Sequence, residues 1–431
     1  MKSLPTIMLV SIAYGRGELP VELPAGRTTV IKPSHRDRLP DERAALRAAL
    51  DAPIGSPALR NLPLDRSRIC VVFTDITRPT PNDRLIPWLL EYLLEAGAND
   101  DAITLLNSTG THRPNTREEL EVMLTRPVVE RFRVLNHECE KTSELVQFGT
   151  TKTGARALIN RALVDAEIRI ITGFIEPHFF AGFSGGPKGI MPGVAGLETV
   201  MSNHGAHHIA DPQAVFGINE GNPIWEEMRD IALRVGQSFL INVTLNDERG
   251  ITGVFAGDLL KAHRAGTEFV RSTAMQPVDG LFDIVITSNS GYPLDMNLYQ
   301  GVKGMSAAAR IVKPGGLIVI ACECSEGVPQ GSPFDHLLRE TSSPEEVLGL
   351  LLQPGFQRAE QWQVQIQSLI SKRARVLLHS NLPPDDVRAA HLTPCANISA
   401  TVEEELARLG PSGRVAVLPQ GPLTVPYLWQ G

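Results

Sequence analysis

Short apolar runs recur along the chain, and polar loops and longer segments of helical spacing separate them. Arg68–Phe73 leads into T-D-I-T-R-P-T-P and then a helical pattern over 82–97 that stops at Gly97. Ile103–Leu106 leads into N-S-T-G-T-H-R-P and a helical pattern over 116–124. A segment read as helix over 155–164 precedes the run Ile168–Thr172, which opens into a glycine-rich loop. Apolar runs closed by turn residues read as buried strands, and their alternation with helices predicts a parallel sheet with crossover helices. Ligands bind such sheets outside the carboxyl ends of the strands. Asp75, Arg78, His112 and His178 all fall on loops of that kind.

Around this core, residues 6–32 predict a hairpin or short meander, with turns at Gly15–Gly17 and Pro24–Gly26, and 41–51 a helix. The stretch S-N-H-G-A-H-H, 202–208, reads as helical, which places His204 and His208 on one face at a spacing that can hold a metal. It lacks the glutamate beside the first histidine that a zinc protease requires. A helix over 223–234, a strand over 239–245 and a long helix over 257–274 follow. A second unit then begins with the strand Phe282–Ser288, a helix through L-Y-Q-G-V-K-G and the strand G-G-L-I-V-I-A. The late strands 415–419 and 423–428 are expected to return to the first domain. The expected fold is α/β with two domains, each a mixed or parallel sheet flanked by helices. The N-terminal domain would span 1–273, completed by 411–431, and the C-terminal domain 274–410, with the active site in the cleft between them.

Composition narrows the function without specifying it. A chain of 431 residues exceeds one compact core, and 42% hydrophobic with 21% charged residues is ordinary globular usage. A formal net charge of −7 argues against a nucleic-acid partner, since no basic stripe exists to neutralise phosphates. The apolar stretch Ile7–Ala13 is short and reads as a first strand rather than a secretory signal, and no run is long enough for a membrane span. The five cysteines are odd in number and scattered, which points to a reducing compartment and a cytoplasmic protein. Cys322 and Cys324 would share one face of a strand; without a second cysteine pair they do not read as a zinc site.

The densest chemistry lies in I-E-P-H-F-F-A-G-F-S-G-G-P-K-G-I-M-P-G, residues 175–193. Glycines let backbone N–H groups approach a ligand closely, and Lys188 is the one long cationic side chain in the loop. That combination points to a phosphorylated ligand, held ionically or through a covalent bond to the lysine. Walker A spacing is absent, because Gly189 follows Lys188. A plain surface loop is the competing reading. Further on, Tyr299 and Lys303 share a helical face beside Gln300, and these donors at a helix start suit a carboxylate.

With these pieces located, the chain resembles the nickel-pincer lactate racemase family over essentially its full length. The resemblance rests on D-I-T-R-P at 75–79, G-T-H at 110–112, P-H-F-F-A-G-F-S-G-G-P-K at 177–188, N-H-G at 203–205 and Y-Q-G-V-K at 299–303. Q-W-Q at 361–363 matches as well, whereas Pro187 stands where relatives often carry another residue. The resemblance implies a nickel-pincer nucleotide, a nicotinic-acid-derived mononucleotide whose sulfur, carbon and sulfur atoms hold nickel. Lys188 would carry it through a thioamide, His204 would be the fourth nickel ligand, and Asp75, Ser184, Gly185 and Gly186 would contact the nucleotide. The implied reaction inverts the carbinol carbon of a 2-hydroxy acid by hydride transfer through a 2-keto acid. His112 and His178 would be the two acid–base groups, and Arg78, Tyr299, Gln300 and Lys303 the carboxylate clamp. Imidazole, with an ordinary pKa of about 6.5, suits that proton traffic. The implied partners are a small 2-hydroxy acid and the enzymes that make the cofactor. Two other readings stay open: a Schiff-base enzyme working through Lys188, and a nucleotide- or nickel-binding homologue without turnover.

Overall fold

The computed structural model describes residues 6–429. The chain has a two-domain α/β fold, and its two compact units are discontinuous in sequence. One comprises 35–204 and 213–272; the other takes the residues up to 34, 205–212 and those from 273 onward.

In the first unit six strands form one sheet, in the order Ile251–Asp258, Phe239–Leu245, Ile168–Phe174, Ile69–Thr74, Ile103–Ser108, Arg133–Asn136. All neighbours are parallel except the Ile251–Asp258 edge, which runs antiparallel to Phe239–Leu245. The Ile69–Thr74 strand is central because it is apolar throughout, and Ile69, Cys70, Val71, Val72 and Phe73 are all buried. Its C-terminal successor pairs on one side and the Ile168–Phe174 strand on the other, so the chain reverses its direction of progress across the sheet there. Such a switch point is where doubly wound sheets open a crevice. The crossover helix Asn82–Glu95 turns Leu85, Ile86, Leu89, Leu90 and Leu93 into the core, at the spacing of one helical face.

Two local expectations fail between residues 155 and 209. Residues 155–164 are not one helix: Arg156–Asn160 is a strand antiparallel to Leu145–Thr150, and only Arg161–Val164 is helical. Pairing and burial of Ala157, Leu158 and Ile159 override the helical spacing, and the Asn160 side chain caps the short helix by accepting from the Ala162 N–H. Nor do His204 and His208 share a helical face. The helix Leu197–Asn203 ends at His204, Gly205 is extended, and a new short helix runs Ala206–Ile209.

The second unit holds a six-stranded sheet in the order Thr393–Pro394, Arg375–His379, Val312–Ala321, Phe282–Ser288, Val415–Leu418, Thr28–Val30, all parallel. The N-terminal hairpin, Ile7–Tyr14 against Gly17–Pro24, packs Val10, Ile12, Val21 and Leu23 into this unit's core. The expectation that 411–431 completes the N-terminal domain is therefore overturned. Val415–Leu418 is an interior strand of this second sheet, and Val425–Leu428 pairs in parallel with Met275–Val278. Four buried apolar residues in a row at 415–418 need a neighbour on each side, and Phe282–Ser288 and Thr28–Val30 supply them. Among the described residues no helix is long and apolar enough to cross a membrane.

Candidate active site

Three loops leave the carboxyl ends of three adjacent strands in the first unit, and hydrogen bonds join them. Asp75, just past Ile69–Thr74, is buried, and its Oδ2 lies 2.8 Å from His112 Nδ1 on the loop after Ile103–Ser108. The Thr77 hydroxyl donates to Asp75 Oδ1 at 2.9 Å, and Arg78 Nε stands 3.9 Å from the same oxygen. Gly110, two residues before His112, donates its N–H to the carbonyl of Gly193 at 3.0 Å, which ties this loop to the exit of the glycine-rich one.

These contacts set the protonation states. Burial alone would raise the Asp75 carboxyl, but the hydrogen bond and charge of His112, together with Arg78 and Thr77, outweigh it and hold the carboxyl below its ordinary range. A carboxylate accepts only, so His112 donates from Nδ1 and keeps its lone pair on Nε2 while neutral. His112 itself is partly exposed, so that nitrogen can meet a ligand.

The glycine-rich loop is built from below. Gly185 and Gly186 have φ of 75° and 55°, and a Cβ on them would come within 2.4 Å of Asn242 Oδ1 and 2.5 Å of His263 Cγ respectively. The backbone here can sit this deep only as glycine. Gly186 N–H donates to Asn242 Oδ1 at 2.8 Å, and His263 Nε2 donates to the Ser184 carbonyl at 2.9 Å. The Ser184 hydroxyl donates to the Phe174 carbonyl and accepts from the Glu176 N–H. Ser184 and Asp75 thus spend these polar contacts on the loop frame and on His112, a use that the sequence did not reveal. Lys188 follows in the tight turn Gly186–Gly189, its N–H bonded to the Gly185 carbonyl at 3.1 Å. His263 is fully buried, and burial, working against the Ser184 bond, pushes its pKa down to about 4, so the ring is neutral at physiological pH.

Aromatic contacts bring the remaining two histidines together. Phe180 meets His178 edge-on at 4.5 Å and His204 edge-on at 5.0 Å between ring centroids. The Ala181 N–H donates to His178 Nδ1 at 3.2 Å, so the neutral His178 ring carries its proton on Nε2, the reverse of His112. His204 Nδ1 lies 3.0 Å from Asn203 Oδ1. The Asn203 amide is fixed in that sense because its Nδ2 donates to the Ile224 carbonyl and to Glu227 Oε2. His204 therefore donates from Nδ1, which places the lone pair on Nε2, the form in which a histidine binds a metal. Asn203, Asn242 and His263 were not singled out from sequence. The first stood inside N-H-G, whereas the other two lie on an ordinary strand and helix with no local signal.

In the second unit, Asn297 caps the helix Leu298–Ala309, its Oδ1 accepting from the Gln300 N–H at 3.1 Å. Tyr299, Gln300 and Lys303 lie on the first turns of that helix. The Gln363 side chain donates to the Tyr299 carbonyl, Tyr299 meets Phe334 edge-on, and Gln300 Oε1 is buried without a hydrogen-bond partner.

A buried carboxylate orienting a histidine, a second histidine of opposite tautomer and a lysine in a glycine-lined turn, all at strand ends of a doubly wound sheet, define an α/β enzyme of acid–base chemistry. The family comparisons fall in the same place. Residues 14–217 match the model of the lactate racemase N-terminal domain, and 279–425 that of the lactate racemase C-terminal domain. The chain is 33% identical to the lactate racemase of Thermoanaerobacterium thermosaccharolyticum, over 96% of this chain and 97% of that protein. It is 35% identical to the lactate racemase of Lactiplantibacillus plantarum, over 92% and 93%. The structure of the T. thermosaccharolyticum apoprotein superposes with a TM-score of 0.90 at 32% identity, covering 97% of this chain and all of that one. A Thermotoga maritima protein shares the fold at a TM-score of 0.67 and 20% identity. The chain belongs to the lactate racemase family, and as an enzyme it is an isomerase.

Proposed function

We propose that the chain is a 2-hydroxy acid racemase or epimerase that works with a nickel-pincer nucleotide carried on Lys188. The observation that carries this reading is the His112–Asp75 pair, a base oriented by a buried carboxylate on a loop bonded to the one that bears Lys188. The residues fit the cofactor on two counts. Lys188 follows in the tight turn Gly186–Gly189, whose backbone is seated on Asn242 and His263, and Asn203 fixes His204 as an Nε2 imidazole donor, which suits nickel(II). When bound, the cofactor supplies a hydride acceptor and donor, so that the very weakly acidic α-hydrogen need not leave as a proton.

The chain's own groups do the rest. His112 Nε2 accepts the hydroxyl proton of one enantiomer, and Asp75 stabilises the imidazolium that results. His178, on the opposite face, returns a proton to oxygen as the imidazolium, which gives up one N–H proton and is left neutral. Turnover thus takes His112 from neutral to imidazolium and His178 from imidazolium to neutral, and the reverse reaction runs the same proton balance backwards. Arg78, with Tyr299, Gln300 and Lys303, holds the substrate carboxylate in this reading, and the buried Gln300 Oε1 is an acceptor for a ligand hydroxyl. Lactate is the first substrate to test, because the similar proteins from T. thermosaccharolyticum and L. plantarum are lactate racemases. The reading also places the protein in the cytoplasm with the enzymes that build the cofactor.

The test is the mass of the Lys188 peptide from protein produced with nickel and the cofactor-making enzymes, followed by incubation with each lactate enantiomer. A pincer-sized adduct on Lys188 and loss of optical rotation are expected. An unmodified lysine, in cells where a control racemase becomes loaded, would overturn the proposal. A Schiff-base role for Lys188 gives no part to the Asn203–His204 pair, and borohydride trapping would detect it.

A further inference from the structure

At the carboxyl end of the Val312–Ala321 strand, Cys322 and Cys324 are both buried and their sulfurs lie 3.5 Å apart. The chain reaches this arrangement by turning through Cys324 in the left-handed region, φ 54°, which folds its side chain back onto Cys322. Two side chains on one face of a continuing strand would be too far apart for this. The pair is bonded to the turn before the helix Leu298–Ala309. Cys324 N–H donates to the Asp295 carbonyl at 2.8 Å, and Cys322 Sγ faces the carbonyls of Asp295 at 3.5 Å and Asn297 at 3.9 Å. Gly301, in the first turns of that helix, packs on the Cys322 sulfur so closely that a Cβ there would be 3.1 Å from it. Asp295 itself is buried; its Oδ2 accepts from the Gly15 and Glu323 N–H groups, whereas Oδ1 has no hydrogen-bond partner.

We infer that Cys322 and Cys324 form a redox-active dithiol that closes to an intramolecular disulfide, and that closure loosens the start of the helix Leu298–Ala309. The oxidant class is a low-molecular-weight disulfide. The Cys324 thiolate attacks one sulfur of that disulfide and expels one thiol, which takes up a proton. The Cys322 thiolate then attacks the Cys324 sulfur of the mixed disulfide and expels the second thiol. Two thiol protons leave the protein, one S–S bond forms within it, and the oxidant is reduced to two thiols. Cys324 acts first because Cys322 is the more deeply enclosed of the two buried cysteines and its thiol is held well above its ordinary pKa by the Cys324 hydrogen bond and by burial. Closure must shorten the sulfur separation to about 2.05 Å and removes both S–H donors. The Cys322 contacts to Asp295 and Asn297 are then lost, and Asn297 is the residue that caps the helix. If Tyr299, Gln300 and Lys303 hold substrate as proposed above, oxidation would weaken substrate binding, but the dithiol chemistry stands independently of that reading.

The experiment exposes the full chain to 2-hydroxyethyl disulfide, alkylates remaining thiols in denaturant, and reads the peptides by mass. The expected result is loss of two hydrogens from the peptide that contains Cys322 and Cys324, reversed by dithiothreitol, with Cys70 and Cys395 still alkylated. Single variants Cys322→Ser and Cys324→Ser should lack that product. Hydrogen exchange in the oxidised protein should be faster, by tenfold or more, at the Gln300 and Gly301 amides. If Cys322 and Cys324 are both alkylated after folded-state treatment, the dithiol assignment falls. If the disulfide forms and those amides exchange unchanged, the coupling to the helix falls. Neither outcome depends on whether the protein racemises a hydroxy acid.

Discussion

His263 gives the sharpest test of how the glycine-rich loop is held. Its ring is fully buried, stacks near Trp225 at 6.4 Å and donates from Nε2 to the Ser184 carbonyl. A buried neutral ring with a pKa near 4, against about 6.5 in the unfolded chain, binds fewer protons folded than unfolded throughout that window. Stability therefore rises with pH between about 4 and 6.5 and is lost as pH falls. Two and a half units are worth roughly 3 kcal/mol at 1.36 kcal/mol each, nearly all of it gone by pH 4. Carboxylates such as Asp75 lose stabilisation in acid too, so the wild type alone does not isolate the histidine. His263→Gln keeps an amide donor for the Ser184 carbonyl and removes the titration. Urea unfolding followed by tryptophan fluorescence should show the wild type losing about 3 kcal/mol more than the variant between pH 7 and pH 4. Parallel pH profiles for the two proteins would refute the claim that His263 is buried neutral under the loop.

Asp75→Asn should leave the fold intact and lower kcat by tenfold to about a hundredfold, since a hydrogen bond to a charged group contributes about 1.5–3 kcal/mol; steady-state kinetics on the loaded enzyme would check it. Asn203→Ala removes the acceptor that fixes His204, so bound nickel measured by mass spectrometry should fall, with affinity down by about 10–100-fold. Gly186→Ala forces a Cβ onto the His263 ring at a positive φ, and should cost about 1–3 kcal/mol in denaturant unfolding while abolishing the Lys188 adduct.

Much of the fold was legible because parallel-sheet strands, buried on both faces, write themselves as apolar runs. Ile69–Thr74, Ile103–Ser108, Ile168–Phe174 and Phe282–Ser288 lie where those runs fall. Long-range pairing left no such mark. Nothing in the periodicity of 415–418 says that its neighbours are Thr28–Val30 and Phe282–Ser288, and so its sheet was misassigned. At 155–164 the pattern A-L-I-N-R-A-L-V fits either element, and pairing with Leu145–Thr150 decides it. At His204, one glycine ends the helix that the spacing alone would extend. The site divides in the same way. Loop positions at strand ends could be read, because topology fixes them. The direction of a side chain could not: Asp75 toward His112, Asn203 toward His204 and His263 beneath Ser184 are facts of packing.

The opposite tautomers of His112 and His178 have a consequence that kinetics can read without a structure of the loaded enzyme. Asp75 supports an imidazolium at His112 through the bond at Nδ1, whereas His178 Nδ1 accepts from the Ala181 N–H. Asp75→Asn should therefore slow the step that forms the His112 cation more than the corresponding step at His178, and shift kcat and KM unequally for the two substrate hands. Yet the two hands of a substrate with one stereocentre are equal in free energy, so their ratio of kcat/KM must equal one in the wild type and in every variant. A catalyst can redistribute barriers and bound states, but it cannot move that equilibrium. For lactate, the variant should show separate changes in kcat and KM that cancel in the ratio. Identical kcat and KM changes for both hands would mean that Asp75 supports the two histidines alike, against the geometry. With a different 2-hydroxy acid, a ratio that departs from one in the wild type and the variant alike would show that the acid carries a second stereocentre and that its reaction is an epimerisation.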